Sequence, residues 1–264
     1  MRRGRVIESV HRVHVRTTDG LAYGDDVVCF LRSSAKPIQA VPLLEAYDDL
    51  TDEELAIACA SHNALPDQLA AVRVLLARAG ATVDDLECGP QEGRPDGKLG
   101  HNCSGKHAGM LAACRANGWP FEGYRLAGHP LQQRIAELIG GSDTAIDGCG
   151  VPTFAMPISE MAALLLRTPT RIREAMQARP ELISWEGGND ARLMRLRPGW
   201  IAKGGAEGLF CAASADGFGV ALKVEDGTNR AVRPALGAVL GIEEFASVEL
   251  KNSRGEVVGE IAVS

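Results

Sequence analysis

Ser33 and Lys36 stand three residues apart in the run Ser33-Ser34-Ala35-Lys36, a spacing that puts two side chains on one face of a helix. An alcohol is a weak nucleophile until a base takes its proton, and a lysine with a depressed pKa can be that base. Chance alone produces Ser-x-x-Lys, so the pair gains its weight from two later segments, Ser61-His62-Asn63 and Lys203-Gly204-Gly205. Together the three offer two hydroxyls and two amines to one cleft. If Ser33 opens a buried helix, the free backbone donors there suit an oxyanion. Burial and the neighbouring cations Arg32 and Lys203 would push Lys36 towards its neutral form. Each segment also has a plainer reading. Ser33 or Ser34 caps a helix with Lys36 in solvent, Asn63 ends a helix in the left-handed conformation, and Gly204-Gly205 turns a strand.

A second concentration of reactive side chains is His101-Asn102-Cys103-Ser104-Gly105-Lys106-His107, with Asp147-Gly148-Cys149-Gly150 as its counterpart. Two thiolates and a histidine suit a soft metal such as zinc, although no Cys-x-x-Cys pair is present. A cysteine nucleophile with His101 or His107 as base is the competing chemistry, and simple burial of the thiols the third option. His11, His14, His62 and His129 lack such company and read as surface or structural.

These residues need a scaffold. The chain has 264 residues, 45% of them hydrophobic, enough for one large unit with a core. A net charge of -6 argues against nucleic acid as partner. No apolar run reaches the roughly 18 residues of a membrane span, and the basic start lacks the apolar stretch of a signal peptide. Seven scattered cysteines, an odd number, fit reduced thiols and a cytoplasmic location better than a disulfide framework; Cys59 reads as core.

Partial alternation over residues 5–16 and the apolar run from Val27 to Leu31 predict two strands, paired as a hairpin-like start. Residues 34–47 read as a helix that Pro42 must kink or displace. Thr51 caps the next helix, which runs to about Ser61. Further helices are expected over 66–79, 104–117, 130–140, 157–166, 168–178 and 229–240, with a Gly- and Pro-rich loop over 88–100. Strands follow at 201–203, 208–212 and 219–224, and a closing hairpin pairs 248–250 with 257–263. The expected fold class is therefore α+β: one antiparallel sheet from strands at both chain ends, with a helical block over about 34–185, forming a single domain.

The run Arg32 to Ala40, Cys59-Ala60-Ser61-His62, Asn102 to Met110, Ile146 to Gly150, Ala202 to Gly208 and Ala221 to Gly227 together resemble the thermolabile type-II L-asparaginase family of the Rhizobium kind. The segments are collinear and span nearly the whole chain. The resemblance implies a serine β-lactamase-like fold, hydrolysis of L-asparagine to L-aspartate and ammonia, and a homodimer. It implies two serine–lysine tandems, Ser33 with Lys36 and Ser61 with Lys203. It also implies a zinc site of Cys103, Lys106 and Cys149, no organic cofactor, and Arg32, His101, Asn102, Asp147 and Gly204 close to the substrate. The chain departs from the family's pattern in its length, in trimmed stretches before Ser33 and at 90–100, and in Trp185-Glu186-Gly187-Gly188-Asn189-Asp190.

On this reading Ser33 attacks the amide carbon with Lys36 as base, and Ser61, held by Lys203, passes a proton to the departing ammonia. The tandems could exchange roles. Arg32 pairs with the substrate carboxylate and Asp147 with its ammonium, while zinc organises the pocket. The competing functions are a penicillin-recognising serine acylase or esterase, which uses its serine and lysine segments in the same order, a zinc-dependent amide hydrolase, and an amino-acid binding module without catalysis.

Overall fold

A computed structural model describes residues 1–141 and 143–264. The strands are β1 (Arg2–Arg3), β2 (Val6–Ile7), β3 (Val13–Thr17), β4 (Ala22–Tyr23), β5 (Val28–Phe30), β6 (Asp143–Ile146), β7 (Pro152–Pro157), β8 (Trp200–Gly204), β9 (Leu209–Ser214), β10 (Gly219–Val224), β11 (Ser247–Lys251) and β12 (Val257–Ala262). The α-helices are α1 (Lys36–Gln39), α2 (Val41–Ala46), α3 (Asp52–Ala58), α4 (Pro66–Ala79), α5 (Ser104–Asn117), α6 (Pro130–Ile139), α7 (Ile158–Leu164), α8 (Thr170–Ala178), α9 (Pro180–Ile183), α10 (Asn189–Leu196) and α11 (Val232–Leu240).

The architecture is α+β with antiparallel sheets. The central sheet has the order β4-β3-β10-β9-β8, so an N-terminal hairpin pairs with three strands from the last third of the chain. The register sets Val15 opposite Leu222 and Lys203 opposite Cys211. All six residues of β9 are buried, as expected of a strand covered on both faces. Helix α7 lies against β3, β9 and β10, and α8 and α10 against β8.

Two expectations are corrected and a third, the break imposed by Pro42, is met. The run at 5–16 is broken into β2 and β3, and β2 joins β1, β11 and β12 in a separate sheet of order β11-β12-β1-β2. Val28–Phe30 does not pair with the first strands. It lies in a third sheet, β5-β7-β6, whose partners come from the stretch between the helices expected at 130–140 and 157–166, inside the region expected to form a helical block. The helix over 34–47 is split at Ala40, because Pro42 in the first turn of α2 starts a new helix there.

Local signals elsewhere act as the chain predicts. Thr51 and Glu54 form a reciprocal capping box on α3. Gly80 and Gly118 end α4 and α5 at φ of 62° and 66°, a conformation that glycine enters without a Cβ penalty. Two close approaches bring α5 beneath the site. A Cβ on Gly105 would sit 2.3 Å from the Ile57 carbonyl oxygen, and one on Gly109 would sit 3.1 Å from Ala58 Cβ. Glycine at both positions lets α5 lie directly on α3, and Cys103 and Lys106 come with it.

Candidate active site

Residues Arg32–Ala35 form a 3-10 turn that runs directly into α1. In that geometry side chains at i and i+3 eclipse, so Ser33 and Lys36 share a face as their spacing requires. The turn is tied down on both sides. The Arg32 amide donates to Thr153 Oγ1 at 3.0 Å, and the Ser34 hydroxyl donates to the Lys203 carbonyl at 2.9 Å. Ser34 therefore links the turn to β8 and is fully buried. Arg32 itself has φ of 48°, a strained value for a residue with a Cβ. Its guanidinium meets Asp147 at 2.5 Å. Gly205 makes the approach possible from the other side, since a Cβ there would lie 3.0 Å from the Leu31 carbonyl oxygen.

Lys36 is 1% exposed. Its amine donates to the Ala60 carbonyl at 2.5 Å and lies 3.0 Å from Ser61 Oγ. Burial pushes its pKa down; Cys103 opposes that shift, and the charges on Lys203 and Lys106 add to it. The amine thus has one carbonyl and one hydroxyl as its partners. Ser61 is placed by its own amide, which donates to Ile183 O at 2.8 Å at the end of α9.

Lys203 is equally buried but differently partnered. Its amine lies 3.4 Å from Asp190 Oδ1 and donates to the Gly204 carbonyl at 2.8 Å. The resemblance pairs Ser33 with Lys36 and Ser61 with Lys203. The structure sets Lys36 against Ser61, and among the described residues Lys203 has its ion pair with Asp190. The Ser33 carbonyl accepts the Lys36 backbone amide. Gly204 has both backbone groups engaged, its N–H donating to Asp190 Oδ1 at 2.6 Å.

The segment after Ser61 turns through Ala64 at φ of 59°, so the left-handed residue is not Asn63. His62 is buried, which fits the structural of the two roles expected of it. Ser104 gives its proton to Leu99 O at 2.7 Å, so it accepts from His62 Nε2 at 2.8 Å, and His62 Nδ1 accepts the Ala64 amide at 3.1 Å. That assigns a neutral imidazole, and burial followed by the Lys36 charge pushes its pKa down to about 3.

His101 and Asn102 lie at the entry to α5. His101 Nδ1 accepts the Cys103 amide at 3.0 Å, and the Asn102 carbonyl accepts from the His62 amide at 3.2 Å. Buried beside them, the Lys106 amine is 3.0 Å from Cys149 Sγ. The Cys149 thiol binds Cys103 and draws the Cys103 pKa well down, against the effect of burial; Lys36 and Lys106 add to the fall. The bond to Cys103, and then burial, push the Cys149 thiol the other way, upwards.

The family model described as L-asparaginase II matches residues 1–263. The chain belongs to the L-asparaginase II family. No curated protein matches the sequence. Family membership supplies hydrolase chemistry on a small-molecule amide, and no helix among the described residues is long and apolar enough to cross a membrane.

Zinc can be tested against the donors of this family member. No group of three His, Cys, Asp or Glu side chains converges as a metal cage among the described residues. Two sulfurs and one amine do converge at Cys103, Cys149 and Lys106. That donor chemistry fits zinc, which prefers sulfur and nitrogen, on the condition that Lys106 gives up its proton. Burial favours that loss, but the two thiols outweigh it and raise the Lys106 pKa.

Sequence reasoning missed four residues of this neighbourhood. Asp190 binds Lys203 from the first turn of α10, and Thr153 holds the Arg32 amide. Gln91 accepts the Asn102 amide at 2.9 Å, and Arg94 donates to His62 O at 2.8 Å and Asn63 Oδ1 at 2.9 Å. The last two belong to the loop read as bare connection. Their only sequence signal is a charged or amide side chain among glycines and prolines.

Proposed function

We propose that the chain is an L-asparaginase that converts L-asparagine and water to L-aspartate and ammonia through Ser33, Lys36, Ser61 and Lys203. The observation that supports this most is the buried Lys36 amine, 3.0 Å from Ser61 Oγ and one turn from Ser33, in a chain matched by the family model from end to end.

Lys36, neutral, takes the proton of Ser33 as its oxygen bonds to the side-chain amide carbon. The Arg32, Ser34 and Lys36 amides are given to Thr153, Leu31 and Ser33, so the Ser33 amide is the backbone donor of the turn assigned to the developing oxyanion. The proton then crosses from Lys36 to the Ser61 hydroxyl, which gives its own to the departing nitrogen. The C–N bond breaks, ammonia leaves, and an aspartyl ester stays on Ser33. Water attacks that ester with Lys36 again as base, and the proton it loses restores the Ser33 hydroxyl. Lys203 is the cation of the pair, and its charge helps keep Lys36 neutral.

The Arg32–Asp147 ion pair supports the substrate assignment. An amino acid carries a carboxylate and an ammonium on one carbon, which complement Arg32 and Asp147 respectively. His101, Asn102 and Gly204 are assigned to orienting the bound amide. Cys103, Lys106 and Cys149 would hold zinc, which when bound supplies a fixed charge and geometry that organise the pocket. The central antiparallel sheet with its helical block supports a serine β-lactamase-like fold for residues 1–264 as a single domain. The setting of the proposal is a homodimer in the cytoplasm. Free thiols at all seven cysteines support the latter.

The test is ammonia release from L-asparagine and from L-glutamine, with and without a chelator. Release from asparagine that survives chelation in part supports the serine route. Complete loss favours metal-activated water, and no release from either amide refutes the activity.

A further inference from the structure

Lys203 is 1% exposed, and a buried ammonium is stable only with a compensating anion. Asp190 is its ion-pair partner, and this carboxylate does two things with one oxygen. Oδ1 lies 3.4 Å from Lys203 Nζ and accepts the Gly204 amide at 2.6 Å. The acid thus fastens the first turn of α10 to the last residue of β8 and sets the direction of the lysine side chain. A third contact completes the seat, the Lys203 amine donating to the Gly204 carbonyl at 2.8 Å. Lys203 is then held by its neighbour's carbonyl and by an anion that also fixes that neighbour.

The backbone around Asp190 keeps this seat in place. Arg233 reaches Asn189 Oδ1 at 2.9 Å and the Gly187 carbonyl at 2.6 Å, clamping the turn that precedes α10. Upstream in the same stretch, Ile183 O receives the Ser61 amide. Residues 183–190 therefore carry the supports of Ser61 at one end and of Lys203 at the other.

We propose that Asp190 is a positioning residue for the proposed hydrolysis, acting through the Lys203 amine and the Gly204 amide. This rests on the reading of Lys203 as part of the catalytic group. Asp190 touches no reacting atom in this scheme. Its charge holds the ammonium, and its oxygen holds the strand end.

The two functions can be separated. Asp190→Asn keeps an amide oxygen for the Gly204 N–H and removes the charge, whereas Asp190→Ala removes both. Asp190→Asn should lower kcat for ammonia release by about tenfold to a hundredfold with KM within about threefold, and with an unchanged melting transition. Asp190→Ala should show the same loss and melt at a lower temperature, and Asp190→Glu should recover part of kcat. A purely structural acid would leave kcat of Asp190→Asn at the wild-type value, and that result overturns the inference. The claim is also read without turnover, from the side-chain resonance of Lys203 in protein carrying 13C-labelled lysine. That signal should shift in Asp190→Asn, and an unmoved signal overturns the inference. If the wild type releases no ammonia, the proposed activity fails, and this resonance still decides the positioning of Lys203.

Discussion

Two lysines at the centre of the molecule are buried to the same degree, 1% exposed each, and are partnered in opposite ways. Lys203 sits on a strand against Asp190. Lys36 sits on a helix against a carbonyl and a hydroxyl. Burial disfavours the charge of Lys36, and the nearby cations Lys203 and Lys106 disfavour it further. Among the described residues Lys203 has the carboxylate partner that Lys36 lacks. In the proposed reaction one region provides the base and the other a second amine held by a carboxylate, and the two are joined where Ser34 ties the Ser33 turn to the Lys203 carbonyl.

The largest expected effect comes from removing the attacking oxygen. Ser33→Ala should reduce ammonia release about 10⁴-fold, while Ser61→Ala, which breaks the relay but not the attack, should cost about 10²-fold. The reverse order would make Ser61 the nucleophile and leave Lys36 with a different serine.

Lys203→Met sharpens the contrast between the amines. The groups bearing on Lys36 are Cys103, Lys203, Lys106 and Cys149. Deleting the Lys203 charge removes one cause of the depressed Lys36 pKa, so the acid limb of kcat/KM should move to higher pH. An unmoved limb would separate the two lysines electrostatically.

The smallest effect concerns stability near the same cleft. His62 is neutral when folded, with a pKa of about 3 against 6.5 in the free side chain. The unfolded chain therefore binds a proton that the folded chain refuses between those values. Its contribution is complete above pH 6.5 and is lost as pH falls towards 3. Urea midpoints of the wild type should drop across that window, and those of His62→Gln should drop less.

The helices α4 and α5 were legible to the residue because their limits are local, with Pro66 opening α4 and left-handed glycines ending both. The strands β6 and β7 were not. Each gains its ladder from the other or from Val28–Phe30, more than a hundred residues away, and the prolines at both ends of β7 disguise it. The serine and lysine positions were visible from their spacing and from the family pattern. Their pairing was not, since the Lys36–Ser61 contact joins residues 25 apart and depends on how α3 and α5 pack at Gly105. Asp190 was visible only as the last residue of a stretch that departs from the family's pattern and as an acid in a first turn, a feature that usually reflects helix electrostatics.

Ammonia release from L-asparagine by Lys36→Met, alongside wild type with a matched melting transition, tests the assignment of the base most directly. The expected rate is about a thousandth of wild type or lower. A variant that turns over within tenfold of wild type would contradict the assignment of Lys36 as the base.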